Sequence, residues 1–152
     1  MPLHERFQVL KKNAKALLAG IVSGVLASML SILGLSIVFG FDHRMYVTLL
    51  PKSITTAIGM GVSQELGGYV TITVAVIVLT GIFGNMFAEL LCKLFHITDP
   101  VAKGVAIGSS SHAIGTAKAM EMGETEGAMS SLSLAVSGVI TVFVAMIFAN
   151  LL

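Results

Sequence analysis

Three long apolar runs, separated by two shorter stretches that mix apolar and polar positions, set the pattern of this chain. Ala16 to Phe41, Leu66 to Ala88 and Gly127 to Leu152 contain no charged residue. At 1.5 Å of rise per residue each is long enough to cross a hydrocarbon core of about 30 Å, so each predicts a transmembrane helix. The second continues to about Leu94, where Glu89, Lys93 and His96 mark an interface.

The stretches between the spans, 45–65 and 100–122, read as broken helices. Pro51 lacks an amide donor and disfavours helix in the residue before it, so Val47 to Leu50 and Ser53 to Gln64 are expected as two pieces meeting there. Asp42-His43-Arg44 and Gly67-Gly68-Tyr69 punctuate as turns. Thr98-Asp99-Pro100 is a helix start, with Asp99 at the N-cap and Pro100 at the first helical position. Helix resumes at Val101, is expected to break at Gly108-Ser109-Ser110-Ser111, and ends in the charged cluster from Lys118 to Glu126.

The two broken stretches resemble each other. Aligning Thr56 with His112 also aligns Ala57-Ile58-Gly59 with Ala113-Ile114-Gly115, Glu65 with Glu121 and Gly67 with Gly123. An internal repeat of discontinuous helices between hydrophobic spans points to a transporter-type site near mid-membrane. If both segments dip and return, Lys93 and Lys103 share a side with the N-terminal lysines, as the tendency of cytoplasmic loops to carry positive charge favours. One span then separates the segments, and they enter from opposite faces as an inverted repeat.

Composition narrows the class further. Apolar residues make up 55% of the chain and charged ones 11%, against about a quarter charged in ordinary soluble domains. The fold class expected is an all-α polytopic membrane protein, with a basic lead-in over 1–15 and one transmembrane domain over 16–152. Lys11, Lys12 and Lys15 directly precede the first span and place the N-terminus in the cytoplasm. A signal peptide is the competing explanation, but the apolar run is too long and lacks a small-residue cleavage site. A net charge of +1 gives no case for a nucleic-acid partner. Cys92 stands alone, so neither a disulfide nor a cysteine metal framework is expected, and a packing role suits it.

The candidate chemistry lies in the broken stretches. Ser53, Thr55 and Thr56 in the first copy, and Ser109, Ser110, Ser111 and Thr116 in the second, offer hydroxyls beside half-helix N-termini, which favour anions. Lys52 and His112 are the basic groups within the motifs. Together they suit a small organic anion as substrate, with His112 as the proton-coupling group. The plainer alternatives are packing serines, a Lys52 that snorkels to the surface and a structural, hydrogen-bonded His112. Glu121, Glu124 and Glu126 lack the i, i+4 spacing to His112 that a helical metal pair needs, so no metal site is expected. Neither a nucleophile elbow nor a phosphate-binding Walker loop is present, and no enzyme activity or cofactor is expected.

Several blocks carry a family resemblance: KSITTAIGM (Lys52 to Met60), LGG (Leu66 to Gly68), LTGIFG (Leu79 to Gly84) and ITDPVAKGVAIGSSSHAIGTAKAMEMGETEGAMSSL (Ile97 to Leu132). They resemble the LrgB/CidB family of bacterial membrane proteins. The resemblance implies a plasma-membrane protein of holin/antiholin-like type that modulates murein hydrolase export and autolysis, beside a smaller LrgA/CidA-type partner. It also implies kinship with plastid glycolate/glycerate translocators and with bacterial proteins tied to pyruvate movement. A homo-oligomer in the lipid bilayer is expected. Ala57 and Gly59 depart from the family's usual Pro and Ala, which predicts a softer first break. Met1-Pro2-Leu3 resembles an internal loop of the family, so about a third of the usual chain is expected to be missing at the front.

Two functions from different classes follow: a transporter of small carboxylates such as pyruvate, glycolate or glycerate, and a holin-like regulator acting through its oligomeric state. A transporter should lose flux on His112→Ala while still folding. A regulator should tolerate that change and depend more on small-residue faces such as Gly20 with Gly24.

Overall fold

The computed structural model describes residues 3–152, with side chains described from Ala14 onward. The lead-in side chains His4, Glu5, Arg6, Lys11 and Lys12 fall outside that description. Six α-helices follow one another: α1 (Leu3–Phe39), α2 (His43–Leu49), α3 (Thr56–Glu65), α4 (Val70–Leu94), α5 (Pro100–Met122) and α6 (Glu124–Phe148), closed by a 3-10 turn at Ala149–Leu151. Among the described residues there is no strand, and the all-helical expectation holds. Ala14–Phe39, Val70–Leu94 and Glu124–Leu151 are each long and apolar enough to cross a membrane. Large apolar side chains such as Leu79, Phe83, Phe87 and Leu90 on α4 point away from the protein, as a lipid-facing surface requires.

The spans differ from expectation at their ends. The first stops at Phe39 rather than Phe41 and the third begins at Glu124 rather than Gly127, while Val70–Leu94 follows the Gly67-Gly68-Tyr69 turn as expected. Left-handed residues set two of these boundaries. Gly40 (φ 64°) and Gly67 (φ 78°) end α1 and α3, and the following amides reach back to the helices, Phe41 N to Ser36 O at 2.9 Å and Gly68 N to Ser63 O at 2.7 Å. That pairing satisfies carbonyls a helix end would otherwise leave open. His96 (φ 54°) ends α4 in the same way, with Ile97 N on Cys92 O at 2.8 Å. At the starts, Asp42 Oδ1 accepts from Met45 N and Asp99 Oδ1 from Ala102 N, both at 2.8 Å. The Asp99-Pro100 start is as the sequence predicted.

The first broken stretch folds into a hairpin. Arg44 Nε donates to Gly67 O at 3.1 Å, and Thr48 Oγ1 accepts from Tyr69 N at 2.8 Å. The outer ends of α2 and α3 therefore meet beside the start of α4. The tip, Leu50 to Thr55, instead reaches Ser28 of α1, whose Oγ lies 3.0 Å from Ser53 Oγ. Ser28 sits about 16 Å along the axis from Phe39, close to half the thickness of a hydrocarbon core. Tyr46, Val47 and Leu50 anchor this hairpin in a core with Val25, Met29, Ile32 and Phe148.

The second broken stretch also turns back. Its first limb runs alongside α6, with Gly104 against Glu126 and Met129, and Gly108 against Ser130. After His112 the direction reverses: Thr116 Oγ1 meets Ser130 Oγ at 2.8 Å, and Met120 meets Gly127. His112 (φ 41°, ψ −143°) is the single non-helical residue in α5 and makes the turn. The expected break at Gly108 to Ser111 is corrected to His112. Ser109 and Ser110 donate to the carbonyls four residues back, Val105 O and Ala106 O, each at 2.7 Å. Each hydroxyl bonds back onto its own helix, so both serines lie within the first limb rather than ending it.

The two hairpins enter from opposite ends of the bundle. Ala16 and Leu17 of α1 share a groove with Asp99 and Val101, so the start of α1 and the turn between α4 and α5 lie at one end. Tyr46 OH donates to Phe148 O at 2.9 Å, which puts the start of α2 and the finish of α6 at the other. The two breaks differ in form, however. Thr56, aligned with His112 in sequence, is the first residue of α3 and follows an open tip, whereas His112 is itself the kink.

Candidate functional site

Both tips rest on the same two helices. On α1, Gly24 leaves room for Ser109: a Cβ there would lie 2.9 Å from Ser109 Oγ. One turn further, Ser28 bonds Ser53. Gly20 likewise gives way to Val105, so the Gly20–Gly24 face is occupied by the first limb of α5 within the same chain. On α4, the Ile77 side chain covers Gly59 of the first hairpin, while the Ile77 carbonyl lies 2.7 Å from His112 Nε2 of the second.

A carbonyl oxygen only accepts, so Nε2 of His112 carries the proton. Nδ1 remains the nitrogen that can gain or lose one without breaking this bond. The ring is 3% exposed and lies against Gly81, and Ser111 lies against Gly84. The pair Gly81 and Gly84, one turn apart on α4, forms a shallow seat for the tip of the second hairpin. Asn85 Nδ2 secures the returning limb at Ile114 O, 3.0 Å away.

The sequence-predicted residues separate into groups. Lys52 Nζ donates to Ser53 Oγ at 3.2 Å, and Ser53 continues to Ser28, which makes one chain of polar groups at the first tip. Among the described residues no carboxylate lies within ion-pair distance of Lys52. Ser109 packs on Gly24 of α1, one turn before Ser28, with its hydroxyl on Val105 O of its own helix. Ser111 and His112 face α4 instead. Thr116 is buried on the α6 side, its hydroxyl between Ser130 Oγ and His112 O at 2.8 Å each. Thr55 and Thr56 are half-buried, and Thr55, the N-cap of α3, makes no side-chain cap bond. Ser110 is exposed, with its hydroxyl returned to its own helix.

Gly24, Ser28, Ile77, Gly81, Gly84 and Ser130 complete the arrangement and were not assigned to the site from sequence. The LTGIFG block held two of them in view, but only tight packing reveals what its glycines do. Among the described residues, no cluster of three histidine, cysteine, aspartate or glutamate side chains can hold a metal ion. At the first tip, non-helical backbone, hydroxyls and the Lys52 ammonium group are groups of the kind that hold a small anion.

Three helices long and apolar enough to span a membrane, with two helical hairpins entering the bundle from opposite ends, define an all-helical membrane protein. The sequence model of the LrgB-like family matches residues 1–151, and the chain belongs to that family. Holin-like protein CidB of Staphylococcus aureus (strain Mu50) is 38% identical over 140 residues, 92% of this chain and 61% of the relative. Antiholin-like protein LrgB of Bacillus cereus is 34% identical over 148 residues, 97% of this chain and 64% of the relative. The uncharacterized protein YxaC of Bacillus subtilis is 35% identical over 142 residues, 93% and 62% respectively. The chain thus spans less than two thirds of the length of these relatives. No solved structure matches it.

Proposed function

We propose that this chain is a holin-like component of the bacterial plasma membrane, oriented with its lysine-bearing end in the cytoplasm, that regulates murein hydrolase export and with it autolysis. The names of the staphylococcal and bacillar relatives support this class. The structural observation that carries it is the pair of opposed hairpins. Each brings a break in regular helix to mid-depth, where such backbone is tolerated only against protein or a polar cavity. A membrane component that controls passage needs such a place. The test is expression in a bacterium lacking its own family members, with hydrolase activity in the medium and lysis as readouts. Both should shift relative to an empty vector, and unchanged release from cells that insert the protein would rule the function out.

A second reading, carboxylate transport, is favoured by Lys52 at the first tip, which has no carboxylate partner among the described residues and is joined through Ser53 to Ser28. Lys52, Ser53 and the neighbouring hydroxyls would hold a carboxylate of the pyruvate or glycolate type, and His112 would exchange the coupled proton at Nδ1. Uptake of labelled pyruvate and glycolate into proteoliposomes, with and without a pH gradient, separates the two. Flux lost in an inserted His112→Ala protein indicates transport. Hydrolase release that survives His112→Ala, without flux in either protein, indicates the regulator.

A further inference from the structure

Where the second hairpin opens toward the lysine-bearing end, a cavity of about 570 Å³ lies between its two limbs, the end of α4 and the start of α6. Six charged side chains line it, three lysines and three glutamates. Four of them neutralise one another: Glu89 pairs with Lys93 at 3.1 Å and with Lys118 at 3.7 Å, and Lys118 pairs with Glu121 at 3.2 Å. Glu126 folds over Gly123 at the N-terminus of its own helix, where a carboxylate complements the helix dipole. Lys103, on the first limb, has no carboxylate within ion-pair distance among the described residues. The six charges sum to zero, and Lys103 is the one lysine of the lining without a carboxylate partner among the described residues; Thr98 and His96 line the same cavity.

We propose that this cavity is an antechamber that binds one small, singly charged organic anion from the cytoplasmic side, with Lys103 as its anchoring charge. The proposal rests on the carboxylate reading and adds to it a site separate from the hairpin tips. Lys103 lies nine residues before His112 on the same limb, so an anion held there stands about 14 Å along the helix from the tip. Partial enclosure weakens competition from water and salt, which makes a single ammonium group effective.

The test is equilibrium binding of labelled pyruvate to the full chain in phosphatidylcholine nanodiscs, with uptake measured on the same preparations in vesicles. Saturable binding is expected. A charge-assisted hydrogen bond to Lys103 predicts that Lys103→Gln raises Kd about tenfold or more. Lys103→Arg should restore most of the affinity, and Lys93→Gln, which frees Glu89 of one of its two partners, should raise Kd less than Lys103→Gln does. The Gln variant removes no ion pair, so its fold should persist. No saturable binding to the parent protein, or an unchanged Kd in Lys103→Gln, overturns the proposal. Loss of pyruvate binding when phosphatidylglycerol is added to the nanodiscs would overturn it too, by assigning the cavity to a lipid headgroup. Binding without uptake supports the antechamber while removing the transport reading. Uptake that is indifferent to Lys103 removes the antechamber alone.

Discussion

The His112 ring of the second hairpin bonds the main-chain oxygen of Ile77, Nε2 to O at 2.7 Å, in the middle of α4. The Ile77 side chain meanwhile covers Gly59 of the first hairpin, so one residue of a spanning helix touches both inserted elements.

Loss of the His112 ring should weaken the seat without emptying the membrane of protein. His112→Ala removes a buried donor, and a bond of this kind contributes about 1 kcal/mol, with the vacated space adding to the loss. Thermal unfolding in detergent should show a lower midpoint with retained helicity. A midpoint equal to that of the parent would mean the ring does not hold the tip.

Gly84→Val should be more damaging than a change at an open glycine. Its side chain would collide with Ser111, whereas nothing lies within 4 Å of a Cβ on Gly34. Overpacking of this sort costs about 1–3 kcal/mol, while Gly34→Ala should be neutral or stabilising by up to about 1 kcal/mol through helix propensity. Unfolding midpoints for the two variants check the contrast, and equal effects would contradict it.

The depth of the first tip can be read by cross-linking. Ser28 Oγ and Ser53 Oγ are 3.0 Å apart, close enough for a disulfide after modest adjustment. In a Cys92→Ala background, the Ser28→Cys, Ser53→Cys double variant should oxidise readily within one chain. The pairing of Ser53→Cys with Ser23→Cys, on the exposed face of α1, should not. Cross-linking in the second pair alone would place the tip elsewhere.

Tyr46 fastens the first hairpin to the end of α6 through its bond to Phe148 O, and its side chain is fully buried. Tyr46→Phe keeps the packing and removes the bond, at a cost of about 1 kcal/mol. Denaturation in detergent should detect that loss, and an unchanged midpoint would show that the bond contributes nothing net.

Punctuation was the most legible part of the sequence. Asp99-Pro100 starts α5 as predicted, because a carboxylate cap and a proline without an amide proton act locally. Gly20 and Gly24 were readable as a face for close helix approach, and α5 takes that face. The second break falls at His112 and not in the serine run, since Ser109 and Ser110 look like helix breakers by composition yet bond to their own helix. Gly81 and Gly84 sit within a plain apolar span, and their function depends on a partner more than twenty-five residues away. The division of the candidate residues, with Ser53 bonded to α1 and His112 bonded to α4, is likewise invisible in the sequence, because it depends on which way each tip faces.

Entry of the two hairpins from opposite faces of the membrane is tested most directly by cysteine accessibility. In a Cys92→Ala background, single cysteines replace Phe41 and Glu65, which flank the first hairpin, and Thr98 and Thr125, which flank the second. Each is then exposed to an impermeant maleimide from one side of the membrane at a time. Positions 41 and 65 should label only from outside and positions 98 and 125 only from within. Labelling of either flanking pair from opposite sides would show that its segment crosses the membrane, and would contradict the account.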